Sequence, residues 1–121
     1  MTDAVMTFGL PSYPAYYMEN DDLAYERAIV DRLIRGGLER GYLVSVNDGE
    51  EWALSKSSDY AAITAEVAAT DVTILRFTDP AQADRTKGCG NVLLIHGNDL
   101  DVVSDHTDND MIADLVALAT G

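Results

Sequence analysis

Residues 42–54 of the chain, YLVSVNDGEEWAL, decide the fold, because apolar and polar side chains alternate on both sides of an Asp-Gly pair. This alternation is typical of strands with one buried face, and Asp-Gly between two such runs favours a type I′ turn. Tyr42, Val44 and Val46 share one face of the first strand, and Trp52 and Leu54 continue that face in the second. The segment therefore predicts a β-hairpin whose apolar face needs a second layer to cover it.

A helix and a third strand follow the hairpin. Ser or Asp side chains at 57–59 are placed to cap a helix over about residues 60–69. Residues 72–78 are rich in β-branched and large apolar side chains and predict a strand. Residues 79–90 contain Pro80 and two glycines, so we expect a polar loop there.

A helix is also predicted before the hairpin. Asp21 or Asp22 is suited to cap it, and Gly41 is suited to the left-handed position that ends it after about Arg40. Its charged residues, Glu26 among them, are expected on the solvent side. The expected apolar stripe consists of Tyr25, Ile29, Leu33, Ile34 and Leu38.

The last third of the chain repeats the plan of the middle. Residues 44–63, VSVNDGEEWALSKSSDYAAI, and 93–112, LLIHGNDLDVVSDHTDNDMI, share the order strand, acidic turn, strand, Ser or Thr, helix. Two such ββα units and one further strand most economically form a single antiparallel sheet of about five strands, with about three helices packed on it. We therefore predict an α+β domain over residues 21–121, preceded by an irregular Tyr- and Pro-rich arm over residues 1–20.

The two ββα units resemble a group of small uncharacterised acidic proteins of proteobacterial tailed phages and prophages. The likeness lies in a DGEEW hairpin followed by an S-[ST]-D helix start, and in a late GND-x-DV-[IV]-[SA]-D-[HY]-[ST]-DN segment. It covers roughly residues 40–115. The resemblance implies a phage or mobile-element origin and carries no catalytic residues with it.

The charge of the chain is strongly negative and unevenly placed. Its 21 acidic and 8 basic residues give a formal charge of -13, and residues 88–121 contain six Asp with no Lys or Arg. Such a balance repels nucleic acid and anionic membranes and attracts proteins with basic grooves. The single cysteine, Cys89, favours a reducing cytoplasm, and no apolar run approaches the roughly 20 residues that span a bilayer.

The leading functional hypothesis is an acidic accessory protein that binds and inhibits a host protein, either a nucleic-acid-processing or a defence protein, through a negatively charged surface. Such a surface imitates the phosphate charge of DNA and needs a few aromatic anchors beside its carboxylates. No P-loop, dinucleotide glycine fingerprint or Ser nucleophile elbow occurs, so neither an enzyme nor a cofactor is predicted. The predicted partner-binding residues are Asp99, Asp101, Asp105, Asp108, Asp110, Tyr16, Tyr17 and Trp52.

Two alternatives stay open at this point. The Asp- and His-rich segment 96–110 also suits a small ligand- or divalent-metal-binding module, because carboxylate and imidazole groups are ligands for such ions. Its spacing is not that of an EF-hand. The tyrosines of the arm either pack over the domain itself or contact a partner or a second copy, and an exposed sheet edge also offers a route to a homodimer. The weak metal candidates are His96, Asp105, His106 and Asp108.

Overall fold

The computed structural model of the chain describes residues 24–121, so the predicted arm lies outside the described residues. None of the described helices is long and apolar enough to cross a membrane. Helices and strands are numbered separately in chain order. They are α1 (Ala24–Glu39), β1 (Leu43–Asn47), β2 (Trp52–Ser57), α2 (Tyr60–Ala68), β3 (Val72–Thr78), α3 (Arg85–Gly88), β4 (Cys89–Ile95), a 3-10 turn (Asp99–Asp101), β5 (Val103–His106) and α4 (Asp110–Thr120).

The five strands form one antiparallel sheet in the order β2-β1-β3-β4-β5. The predicted α+β class and the single five-stranded sheet are therefore confirmed. The two hairpins lie on either side of β3, which is the central strand, and β2 and β5 form the edges. Each edge strand has a neighbour in the sheet on one side only.

The core lies between one face of the sheet and the three longer helices. Alternate residues of the inner strands point into it, as the period of two requires. Leu75 and Phe77 of β3 are fully buried there, and Thr73 shares their face. The other fully buried large side chains are Val30, Leu33, Ile34, Val44, Val46, Ile63, Leu94, Ile112 and Leu115, with Val67 1% exposed.

Two glycines let the helices approach the sheet closely. A Cβ added at Gly37 in α1 would lie 2.5 Å from Phe77 Cε1, and one at Gly90 in β4 would lie 2.4 Å from Ile112 Cγ1. Contacts this short do not occur with real Cβ atoms, so a larger residue would push α1 or α4 away from the core.

The cap of α2 follows the sequence prediction, whereas the predicted caps of α1, Asp21 and Asp22, lie outside the described residues. The carboxylate of Asp59 accepts hydrogen bonds from the N–H groups of Ala61 and Ala62 at the start of α2. Asn109 caps α4 by accepting from the Ile112 N–H. Orphan N–H groups in the first turn are thus satisfied by side chains that directly precede each helix.

The predicted stripe of α1 is wrong at its first turn. Tyr25 is 65% exposed, whereas Glu26, expected on the solvent side, is only 3% exposed. Glu26 precedes Ile29 by three residues and Val30 by four, so it shares the helix face that enters the core. A carboxylate on that face is tolerated because the fold supplies hydrogen-bond donors for it.

The β1–β2 hairpin is confirmed, but its turn and one of its faces differ from the prediction. Asp48–Glu51 form a four-residue connection in which only Gly49 has a positive φ, of 100°, so a type I′ turn on Asp48 and Gly49 does not form. A register irregularity between Val46 and Asn47 places Trp52 opposite Asn47. The Trp52 ring lies 4.3 Å from the guanidinium carbon of Arg76, on the face away from the core.

Residues 79–90, predicted to be a loop, contain a short helix and part of a strand. Their middle contains the short helix α3, and Cys89 and Gly90 already belong to β4. Pairing of β4 with β3 extends to the Thr78–Cys89 pair, which local propensity does not reveal.

Candidate functional site

Four of the predicted aspartates lie along the β5 side of the sheet. Asp101 ends the 3-10 turn before β5, Asp105 lies within β5, and Asp108 and Asp110 follow it at the start of α4. All four residues are exposed. We call this set of carboxylates, Asp101, Asp105, Asp108 and Asp110, the acidic edge.

The acidic edge has no close basic partner among the described residues. None of its members forms an ion pair within 4 Å with a described residue, and the chain has no Lys or Arg after Lys87. The short helix α3, which carries Arg85 and Lys87, lies beside this edge, because the Asn109 side-chain amide donates to the carbonyl oxygens of Thr86 and Cys89, both at 3.1 Å. Exposed carboxylates that form no ion pair with a described residue leave a negative potential over this edge.

Asp99 is placed differently from the other predicted carboxylates. Its Oδ1 accepts a hydrogen bond of 3.1 Å from the backbone N–H of Glu26, in the first turn of α1. Its backbone has a φ of 51°, a left-handed conformation that Asp adopts more readily than most residues. Asp99 therefore acts as a cap for a helix that begins 75 residues before it along the chain, and its carboxylate is engaged within the domain.

Glu26 completes a reciprocal arrangement with this loop. Its Oε1 accepts from the N–H groups of Gly97 at 2.8 Å and Asp99 at 3.1 Å. Its Oε2 lies 3.3 Å from Nδ1 of His96. The pair of Glu26 and Asp99 thus resembles a capping box closed between distant segments, which ties the start of α1 to the loop after β4.

The network continues from His96 to the central strand. Nε2 of His96 lies 2.9 Å from Oγ1 of Thr73, so a hydroxyl, an imidazole and a carboxylate are joined in series. This order of groups is the one that activates nucleophiles in hydrolases. Thr73, however, has no exposed surface and faces the core, so a substrate cannot reach its hydroxyl. We interpret the series as a structural link between α1, β3 and the end of β4.

Sequence reasoning missed Glu26 and Thr73 as members of this network. The position of Glu26 on the apolar face of α1, three residues before Ile29, was the one available signal. The donors that satisfy it come from residues more than 70 positions away, and no local pattern indicates that contact.

Trp52 lies at the edge of the sheet opposite to the acidic edge. The cross-strand pairs Trp52–Asn47, Asn47–Ile74, Ile74–Leu93 and Leu93–Asp105 form one row across all five strands. Four strand spacings separate its ends, about 19 Å in total. Trp52 and Asp105 therefore share a face of the sheet without touching. Tyr16 and Tyr17 lie outside the described residues.

The weak metal candidates do not converge. Both ring nitrogens of His96 are engaged with Glu26 and Thr73, and Nδ1 of His106 lies 3.0 Å from the carbonyl oxygen of Thr107. In residues 24–121 no three His, Cys, Asp or Glu side chains are arranged to hold a metal ion. The metal-binding alternative therefore has no geometric support in this part of the chain.

The acidic edge is thus the candidate site of the described domain, because its four carboxylates are exposed and follow one another along the 3-10 turn, β5 and the connection into α4. Comparisons of the chain with protein-family models, with curated proteins and with solved structures found no match.

Proposed function

We propose that this chain is a non-enzymatic accessory protein that binds a host protein through the acidic edge and inhibits it by occupying a basic groove. The observation that carries the proposal is that Asp101, Asp105, Asp108 and Asp110 are exposed along one side of the sheet and form no ion pair with any residue of 24–121. The fifth predicted aspartate, Asp99, is not part of this surface, because its carboxylate accepts a hydrogen bond from the Glu26 N–H within the domain.

The physical basis is electrostatic complementarity. A groove that normally holds nucleic acid carries Lys and Arg side chains, and its field steers a negatively charged protein of matching shape into it. A chain with a formal charge of -13 is repelled by nucleic acid itself, so it competes for the groove without binding the groove's ligand. The resemblance of residues 40–115 to phage and prophage proteins supports a host protein in the cytoplasm, either a nucleic-acid-processing or a defence protein, as the target.

The non-enzymatic part of the proposal rests on the burial of the Thr73–His96–Glu26 series. Catalysis by such a series requires the hydroxyl to contact a substrate. The hydroxyl of Thr73 is inside the core and its imidazole partner is held by a buried carboxylate, so the series serves stability.

The proposal is tested by capture of partners from a proteobacterial lysate at about 0.1 M and about 0.5 M salt, since this range shortens the Debye length roughly twofold. One variant carries Asp101→Asn, Asp105→Asn, Asp108→Asn and Asp110→Asn. A charge-matched control carries Glu39→Gln, Glu50→Gln, Glu51→Gln and Asp71→Asn, which are also exposed but lie elsewhere.

We expect the parent chain and the control to retain a nucleic-acid-binding or defence protein at low salt and to release it at high salt. The acidic-edge variant should not retain it. Equal loss in both variants would show that net charge alone is responsible, and the absence of any salt-sensitive partner would overturn the proposal.

A further inference from the structure

Arg76 is a half-buried arginine of the central strand β3, on the face of the sheet away from the core. Its guanidinium carbon lies 4.3 Å from the centroid of the Trp52 ring, and its Nε donates a hydrogen bond of 3.0 Å to Oδ1 of Asn91. Trp52 belongs to β2 and Asn91 to β4, so side chains from both sides of β3 hold this guanidinium. A planar group held at its face and at Nε keeps its two terminal nitrogens, Nη1 and Nη2, as an oriented fork of donors.

The fork of Arg76 is not paired with a carboxylate of the described domain. Within residues 24–121 the guanidinium contacts the Trp52 ring and the amide oxygen of Asn91, and no carboxylate lies within 4 Å of it. Asp105 shares this face but lies two strands away, about 10 Å across the sheet. The chain has 21 acidic and 8 basic residues, yet its described carboxylates leave this positive charge without an ion pair.

Arg35 in α1 shows how a second stacked arginine of this fold is completed. Its guanidinium carbon lies 4.8 Å from the centroid of the Tyr60 ring, and its Nε lies 2.8 Å from Oδ2 of Asp31. The chain therefore supplies both an aromatic ring and a carboxylate to Arg35. Arg76 has the ring, but the oxygen that its Nε contacts belongs to a neutral amide. The comparison indicates that a carboxylate from outside the domain completes the site of Arg76.

The surroundings of Arg76 favour a carboxylate over a phosphate. A guanidinium fork binds a carboxylate through two parallel hydrogen bonds. The field of a chain with a formal charge of -13 opposes each further negative charge, so a monoanion is favoured over a dianion. Asn47 lies opposite Trp52 and diagonal to Arg76. Its Oδ1 accepts from the Gly49 N–H at 2.8 Å, which leaves its NH2 group as a further donor on the same face.

We propose that Arg76, Trp52 and Asn91 form a binding site for a carboxylate on the face of the sheet away from the core. The Arg76 fork binds the carboxylate, and the Trp52 ring contacts the carbon skeleton that carries it. Asn91 is a positioning residue, because it orients Nε of Arg76. The carboxylate belongs to a small free acid or to an acidic side chain of another protein. The site is positively charged and lies away from β5, so it does not rest on the function proposed for the acidic edge.

The test is a titration of the isotope-labelled full chain, followed by the NMR signals of the Trp52 indole N–H and the side-chain amide of Asn47. The probes are sodium benzoate for a small free acid, acetyl-glutamate amide for a protein side chain, and inorganic phosphate, at neutral pH and with ionic strength held constant by sodium chloride. Arg76→Gln removes the fork, and Arg76→Lys keeps the charge without the fork. Arg85→Gln is the charge-matched control, since Arg85 is exposed on α3.

We expect at least one of the two monocarboxylates to shift both signals saturably in the parent chain and in Arg85→Gln. The tighter of the two identifies the source of the carboxylate. Arg76→Gln should weaken binding at least about tenfold, or about 1.4 kcal/mol, and Arg76→Lys should weaken it by a smaller factor. Binding of parent strength in Arg76→Gln and Arg76→Lys, or shifts no larger than those caused by chloride, would overturn the proposal. Tighter binding of phosphate than of either carboxylate would overturn it as well.

Asn91→Asp separates a binding site from a contact that serves only the fold. It supplies Arg76 with a carboxylate from the chain itself, as Asp31 does for Arg35. We expect the affinity for the monocarboxylate to fall at least about tenfold while the free energy of unfolding is unchanged or higher. Parent affinity in Asn91→Asp would show that the probe binds elsewhere and would overturn the proposal.

Discussion

Removal of the Glu26 carboxylate is the most informative single perturbation of this fold. In Glu26→Ala the N–H groups of Gly97 and Asp99 lose their acceptor, and His96 loses its neighbour. A hydrogen bond to a charged group is worth about 1.5–3 kcal/mol, and the exposed Gly97 regains water, so we expect a loss of about 3 kcal/mol in the free energy of unfolding. Small domains have only about 5–15 kcal/mol in total, so the effect is large.

The measurement is denaturant unfolding followed by far-UV circular dichroism and by the fluorescence of Trp52, the single tryptophan. Glu26→Gln keeps a carbonyl oxygen for the two N–H groups and removes only the charge, so we expect a loss of about 1 kcal/mol. Glu39→Ala is the matched control, since Glu39 is an exposed residue in the last turn of the same helix. Its effect should stay within about 0.5 kcal/mol.

The reasoning would be refuted if Glu26→Ala cost no more than Glu39→Ala. The network would then contribute nothing that water does not replace. If Glu26→Gln lowered the free energy of unfolding as much as Glu26→Ala, the charge of Glu26, rather than its two backbone hydrogen bonds, would be the source of the stabilisation.

The reciprocal bonds between Glu26 and Asp99 predict coupled effects. Asp99→Gly removes the cap on α1 while allowing the φ of 51°, and loss of such a cap costs about 1 kcal/mol. In the double variant the two losses should not add, with a coupling free energy of at least about 0.5 kcal/mol. Additive losses in the same unfolding assay would mean that the two bonds act independently.

Two further predictions concern packing and pH. Gly37→Ala should lower the free energy of unfolding by about 1–3 kcal/mol, because its Cβ would lie 2.5 Å from the fully buried Phe77 ring. At Gly36 the Cβ would lie 2.9 Å from Cδ2 of Leu118, the end of a 45% exposed side chain that can turn away, so the gain in helix propensity should keep the loss in Gly36→Ala below about 1 kcal/mol. Equal effects of the two substitutions in thermal unfolding would contradict this. Hydrogen bonds from the N–H groups of Glu51 and then Glu50 lower the pKa of Asp48 below its ordinary value of 3.8. The resulting stability is present above that value and declines as pH falls through the lowered pKa, so Asp48→Asn should flatten the dependence of unfolding free energy on pH below about pH 4, while an unchanged slope would refute the assignment.

Helices and strands that carry a local signal, such as alternation or a capping residue, can be predicted from the sequence. The strand over Val72–Thr78 has the predicted bounds, and Asp59 and Asn109 cap α2 and α4 as short-range chemistry requires. Periodicity and caps depend on neighbours within a few residues, so they are readable without the fold. The exposure of the aspartates of the acidic edge is also readable from the sequence, because an unpaired Asp is rarely buried.

Predictions failed where a distant contact outweighed the local pattern. Tyr25 fits an apolar helix stripe but is exposed, and Glu26 is buried because the loop after β4 supplies its donors. Cys89 and Gly90 look like loop residues but are ordered by pairing with β3. The irregularity in the hairpin turned Trp52 onto the face of the sheet away from the core, where Arg76 of a non-adjacent strand packs on its ring.

The sequence alone therefore determined the five strands and the three longer helices, the caps of α2 and α4, the alternating faces of the central strand and the concentration of negative charge in the last third. Only the tertiary structure decided the strand order, which places Trp52 and the acidic edge at opposite edges of the sheet, and the capture of Glu26 by the 97–99 loop. The physical reason is range: hydrophobic periods and capping bonds act along the chain, whereas strand pairing and the solvation of a buried carboxylate join segments that are far apart in sequence.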